Sequence, residues 1–185
     1  ISILLLIGLY RIADVVMGVI ANVFYLEKGF NINEIATYSK FFGVFATIFG
    51  GFLGGIFALK FGTMRALFLG ALIAAASNLL FAWLAVAPIS IKFLIIVITA
   101  DNISSGFAGA AFVVYLSGLT SVKFTATQYA LFSSIMLFLP KLIAGYSGSW
   151  VDIMGYANFF TLTAILGIPV LLMIVWISKV APIKN

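Results

Sequence analysis

The sequence predicts an all-α membrane protein of six transmembrane helices, arranged as an inverted repeat of two three-helix units. Composition, loop punctuation and a repeated pair of glycines carry that expectation. Of 185 residues, 64% are hydrophobic and 8% charged, with mean hydropathy +1.27. Soluble chains run at roughly 45–50% apolar and about 25% charged. A bilayer core about 30 Å thick takes roughly 20 apolar residues per helix, which leaves room for about six spans. Hydrocarbon offers no partners for open backbone groups, so the spans are expected to be helical.

Polar, Gly or Pro punctuation divides the chain at EKGFNINE (27–34), LKFGTMR (59–65), VAPISIK (86–92), TSVKFTAT (120–127) and DIMGYAN (152–158). The helices predicted between these loops are 2–26, 33–58, 64–85, 90–119, 125–150 and 157–178. In GIFALKFG, Gly55 and Gly62 end the second helix and open the third. In GSWVDIMG, Gly148 and Gly155 do the same for the fifth and sixth, 93 residues later. An odd number of spans separates the two copies, so they lie on opposite membrane faces, the signature of an inverted 3+3 repeat. Residues 1–185 are therefore read as a single bundle, with 1–85 the first three-helix repeat and 90–178 the second.

Loop charge sets the orientation. Lys60, Arg65, Lys123, Lys179 and Lys184 fall on one side, and only Lys28 and Lys92 on the other, so by the positive-inside rule both termini are expected in the cytoplasm. The net charge of +5 is scattered over loops and helix interiors rather than gathered in a hydrated stripe, which argues against nucleic acid as a partner. With no Cys and no His, the chain lacks thiol catalysis, haem ligation and the usual zinc sets. No nucleophile and base stand out, so neither an enzyme nor a cofactor or metal is expected. The chain starts at Ile1 with no methionine or basic leader, which suggests a fragment or a trimmed chain.

Ionisable residues inside spans cost about 2.5–3.5 kcal/mol each on insertion scales, so they are expected to face a protein interior or a watery pathway. Here they are Arg11 and Asp14 on the first helix, Lys40 on the second, Asp101 on the fourth and Lys141 on the fifth. The third and sixth helices carry none away from their ends, which suggests that these two face lipid. At 1.5 Å per residue, Asp14 and Asp101 are expected near the midplane, and Lys40 and Lys141 toward the outer third. Arg11 and Asp14 are three apart and share a face, so they can pair. Asp101, with Asn102, Ser104 and Ser105 beside it, is the candidate for proton coupling or substrate contact. The bland alternatives are an ion pair, interhelical hydrogen bonds and snorkelling lysines.

Gly50, Gly51, Gly54 and Gly55 on the second helix, Gly106 and Gly109 on the fourth, and Gly145 and Gly148 on the fifth read as close helix packing. Pro140 and Pro169 fall inside helices, where a kink is permitted. Thr125 and Gln128, in TATQ, fit a capping box.

GIFALKFG resembles the loop motif of the major facilitator superfamily, Gly-x-x-x-Asp-Arg-x-Gly followed by basic residues. Leu59 stands for the aspartate and Lys60 for the arginine, while Gly55, Gly62 and Arg65 remain; the second copy keeps Gly148, Asp152 and Gly155. FTATQYALFSS (124–134), followed by Lys141, Gly145 and Gly148, resembles muropeptide permeases of the AmpG type. LYRIAD (9–14), SKFFGVFATIFGGFLGG (39–55), RALFLG (65–70) with SN (77–78), and the DN of ADNISSGFAGAAFV match further, in order. The resemblance implies the C-terminal six-helix half of a twelve-helix major facilitator fold in the bacterial inner membrane. It further implies proton-driven import of N-acetylglucosaminyl-anhydro-N-acetylmuramyl peptides. The partners would be the lipid bilayer, a glycopeptide, protons, and an N-terminal six-helix half or a second copy. The alternatives are a facilitator for another organic anion, such as a sugar phosphate or acetyl-coenzyme A, and a non-transporting scaffold or split-gene remnant.

Overall fold

A backbone in hydrocarbon satisfies its polar groups along its own helix, and in the computed structural model the described residues, 2–119 and 125–180, are helical apart from short joints. In order the helices are α1 (Ser2–Leu9), α2 (Ile12–Lys28), α3 (Ile32–Tyr38), a π-helical segment (Ser39–Gly43), α4 (Val44–Phe61), α5 (Thr63–Val86), α6 (Ile91–Leu119), α7 (Thr125–Ala144), α8 (Ser147–Ile165) and α9 (Gly167–Val180). Six stretches are long and apolar enough to cross a membrane: Ser2–Lys28, Ile32–Phe61, Thr63–Val86, Ile91–Leu119, Ala126–Ala144 and Ser147–Val180. The all-α, six-span expectation is met.

Several helices are broken where a single helix was expected. The first span is interrupted at Tyr10 and Arg11, the latter with φ −96° and ψ 10°. No glycine or proline marks that joint. The second span contains the π-helical turn at Ser39–Gly43. The fifth helix runs straight through Pro140 and stops at Ala144, so that Gly145 and Tyr146, not the proline, interrupt the expected 125–150. Pro169 acts differently. A proline ring clashes with the carbonyl four residues back, and α8 ends at that residue, Ile165, before α9 starts with Pro169 in its first turn, where the missing N–H is not needed.

The helix ends follow local chemistry. Gly29 closes α2 with φ 105°, its N–H bonded to the Leu26 carbonyl at 3.0 Å. A capping box opens α3: Asn31 Oδ1 accepts from the Asn33 N–H, and Glu34 Oε2 accepts from the Asn31 N–H, both at 2.9 Å. The box expected at Thr125 and Gln128 rests on the Thr125 side chain, which is not among those described, and Lys123 and Lys184 lie outside the described residues.

Two kinds of packing hold the bundle. On the α4–α6 seam, a side chain added at Gly50 would overlap the Ile103 carbonyl, one at Gly106 the Thr47 carbonyl, and one at Gly54 would sit 2.5 Å from the Phe107 carbonyl. The backbones touch, as the small-residue pattern predicts. Elsewhere large aromatics fill the core: Phe24 of α2 lies 4.9 Å from Phe160 of α8 and 6.4 Å from Phe81 of α5, centroid to centroid, and all three rings are fully buried.

The third span, α5, has half of its apolar window buried within the bundle, against 6% of the fifth span's, and keeps Leu72, Leu79, Trp83 and Val86 exposed. It packs on α6, α8 and α9. Ala66, Gly70, Ala71 and Ala74 are among its buried residues and give α5 a small-residue face for that packing.

Candidate functional site

Helix α6 carries a run of polar residues into the bundle, and each meets a different neighbour. Arg11, at the joint between α1 and α2, donates from Nη2 to Asp14 Oδ2 and, at 3.0 Å, to Ser105 Oγ of α6. The sequence placed Arg11 and Asp14 together; the structure adds Ser105. About four-fifths of each charged side chain is buried. Among the described residues this is the ion pair of the bundle.

One helical turn earlier on α6, Asp101 forms no ion pair among the described residues. Its side chain there accepts one hydrogen bond, from Ser77 Oγ of α5, at 3.5 Å. That bond is weak by length, and the Ser77 hydroxyl has a nearer acceptor in the Ala74 carbonyl at 2.8 Å. Ser104 Oγ donates to Ser77 Oγ at 3.1 Å or to the Asp101 carbonyl at 2.8 Å. Each hydroxyl has one proton and two possible acceptors, so the cluster has more acceptors than donors. Arg11 and Asp14 are near enough for their charges to act on Asp101.

Asn102 turns the other way. Its Nδ2 donates to the Ile98 carbonyl at 2.8 Å, and its Oδ1 lies 2.9 Å from Thr47 Oγ1 of α4. Thr47 Oγ1 is also 2.9 Å from the Gly43 carbonyl, which ends the π-helical segment. The side chain of Asn102 would lie 3.3 Å from a Cβ at Gly43. Asp101 and Asn102 thus serve opposite neighbours, α5 and α4, although they are adjacent in sequence.

Lys40 and Lys141 are exposed on the surface of the described bundle and are not drawn into this cluster. Of the loop-motif residues, Gly62 and Gly155 stand out: their backbones have φ 92°, ψ 152° and φ 76°, ψ 164°. That region is open essentially only to glycine. Gly55 and Gly148 meet nothing that a side chain would touch, and Lys60, Arg65 and Asp152 are exposed.

The sequence reading missed Ser77, Asn78, Thr47 and Tyr10. Asn78 is buried and donates to the Ala13 carbonyl at 3.1 Å, leaving its own Oδ1 without a partner. The Tyr10 hydroxyl, also buried, donates to the Leu67 carbonyl at 3.2 Å, and its ring stacks on Phe112 at 4.7 Å. A polar Ser-Asn pair in the otherwise apolar stretch 66–86 of α5 was the available signal for the first two.

These features define a multi-pass membrane protein whose all-helical, six-span bundle is consistent with one half of a major facilitator fold. No family model matches the chain. Curated relatives do, and they bear out the resemblance to AmpG-type proteins. "Putative transporter AmpG 4" of Rickettsia felis is 35% identical over 179 residues, covering 97% of this chain and 43% of the relative. "Putative transporter AmpG 1" of Rickettsia bellii is 36% identical over 179 residues, 97% of this chain and 44% of the relative. "Putative transporter AmpG 3" of Rickettsia prowazekii is 35% identical over 171 residues, 91% of this chain and 41% of the relative. The chain spans less than half the length of the curated relatives it matches.

Proposed function

We propose that this chain is the C-terminal six-helix half of a secondary transporter that imports anhydro-muropeptides with protons across the bacterial inner membrane. Its partner is an N-terminal six-helix half or a second copy, and it performs no enzymatic chemistry. The observation that carries the reading is Asp101, a carboxylate inside a span, without a cation partner and surrounded by hydroxyls that can redirect their protons. Intramembrane ionisable groups in such positions mark ion and proton pathways. The motif matches to AmpG-type permeases support the substrate. The matching backbone conformations of Gly62 and Gly155, at corresponding points of 1–85 and 90–178, support the inverted repeat.

One bundle is half of what alternating access needs, since the site forms where two bundles rock against each other. Cells making only this polypeptide are therefore expected to show no uptake unless the chain dimerises. Uptake at the rate of a full-length permease, without a crosslinkable dimer, overturns this.

The test of coupling is Asp101→Asn in a complete transporter reconstituted with an imposed proton gradient. Gradient-driven accumulation is lost, while exchange of substrate down its own gradient persists. Unchanged accumulation at normal expression moves the role to Asp14. For orientation, an impermeant thiol reagent outside intact cells is expected to label a cysteine placed at Asn31 or Ser90. Labelling at Thr63 instead reverses the topology.

A second reading, import of a different organic anion, is favoured by the uncompensated charge of Lys40. Uptake of a sugar phosphate, with no uptake of anhydro-muropeptide, would select it.

A further inference from the structure

The bundle carries its charge unevenly. Lys60 stands in the last turn of α4, Arg65 in the first turn of α5 and Lys179 in the last turn of α9, all three exposed at one end of the bundle. None of the five side-chain carboxylates is there. Asp14 and Asp101 lie inside spans. Glu27, Glu34 and Asp152 belong to the opposite end, where Glu27 of α2 accepts from the Tyr156 hydroxyl of α8 at 2.8 Å. Among the described residues the three cations therefore have no carboxylate partner.

Between α5 and α9, at that same end, runs a groove of about 210 Å³. Met64, Phe68, Ile174 and Val175 give it apolar walls, and Arg65 and Ser178 complete the lining. We propose that this groove holds one anionic phospholipid. The acyl chain lies along the four apolar side chains, the Arg65 guanidinium takes the headgroup phosphate, and Lys60 and Lys179 add to the field that selects a negative lipid. Apolar walls give an acyl chain van der Waals contact and give a hydrated free phosphate none. An arginine suits the boundary: its stem follows apolar surface while its planar head stays at the interface, and its fork matches two phosphate oxygens. The Ser178 hydroxyl donates its proton to the Val175 carbonyl at 2.7 Å, so its oxygen faces a headgroup as an acceptor. Basic pockets between transmembrane helices recognise acidic headgroups by these means. The site lies apart from the Asp101 cluster and does not depend on the transport reading.

The full chain is placed in nanodiscs of phosphatidylcholine with a trace of phosphatidylglycerol that carries a diazirine in its acyl chain. After irradiation the crosslinked peptides are quantified by mass spectrometry, with the exposed face of α4 at Phe45 and Phe52 as reference. Labelling is expected to concentrate on the α5–α9 groove, and to spread evenly when the diazirine is on phosphatidylcholine. Arg65→Gln is expected to lower the excess about fivefold, the loss of one basic contact, and Arg65→Lys to restore part of it. Val175→Phe, which fills the groove and keeps all three cations, is expected to lower it as well. Lys92→Gln, at the opposite end, leaves it unchanged. Equal labelling by the two lipids, an excess that survives either Arg65→Gln or Val175→Phe, or one that falls equally with Lys92→Gln overturns the proposal. So does an excess removed by inorganic phosphate, which would assign the cations to a free anion.

Discussion

Asp14, on α2, is tied to Arg11, and Arg11 in turn reaches Ser105 on α6. Asp101, on α6 itself, is left with a 3.5 Å contact to Ser77. Both carboxylates are held inside spans and lie near enough to act on each other electrostatically. The bundle nonetheless supplies a cation to one and only hydroxyls to the other. The carboxylate paired with Arg11 ties α2 to α6 through Ser105, whereas Asp101 is left among hydroxyls whose hydrogen bonds can be redirected. The neighbours, not the residue type, make that difference.

The comparison is broken most directly by removing each carboxylate in turn. Asp14→Ala leaves Arg11 largely buried and unpaired, at a cost of about 3–5 kcal/mol, and is expected to lower both expression and the thermal midpoint in detergent. Replacing both partners with apolar residues of similar size is expected to recover most of that loss. Asp101→Asn is expected to change stability by under about 1 kcal/mol. Equal destabilisation by the two single variants would erase the distinction.

A smaller effect tests the platform beneath both sites. Gly106→Ala forces α4 and α6 apart where their backbones touch, with an expected cost of about 1–3 kcal/mol from overpacking, read by unfolding in graded denaturant. Gly109→Ala, whose nearest neighbour is the Arg11 guanidinium at 3.5 Å, is expected to be close to neutral. The repeat gives a matched pair of comparable size. Gly62→Ala and Gly155→Ala each impose a glycine-only backbone on a side chain, at about 1–3 kcal/mol. Strongly unequal losses would argue against their equivalence. A change at the lower end of this range comes from Asn78→Ala, which removes the bond to the Ala13 carbonyl next to Asp14. It is expected to cost about 1 kcal/mol and to loosen the Asp14 side without affecting Asp101, as thermal shift and coupled transport would respectively report.

Much of the fold was legible because bilayer thickness and backbone hydrogen bonding leave few options. Apolar length located the six spans, glycine spacing marked close-packing faces on α4 and α6 without pairing them, and the i, i+3 relation located the Arg11–Asp14 pair. The joint at Arg11 and the π-helical segment carried no local signal, since neither contains the glycine or proline that usually announces a break where it occurs; Gly43 comes only at the π-segment's end.

The candidate site divides along the same line. From the sequence alone come the helices, their likeness to AmpG-type proteins, and the choice of Asp101, Asn102 and Ser105 as polar residues in a hydrophobic run. The likeness rests on matched motifs; the helices and the polar residues follow from composition and periodicity, which each helix carries within itself. Only the tertiary structure decided that Ser77 stands against Asp101, that Ser105 takes a bond from Arg11, and that Asn102 turns to Thr47. Those contacts join residues 24 to 94 positions apart. They depend on helix rotation and crossing, which are set by side chains meeting across the bundle rather than by any pattern along one helix.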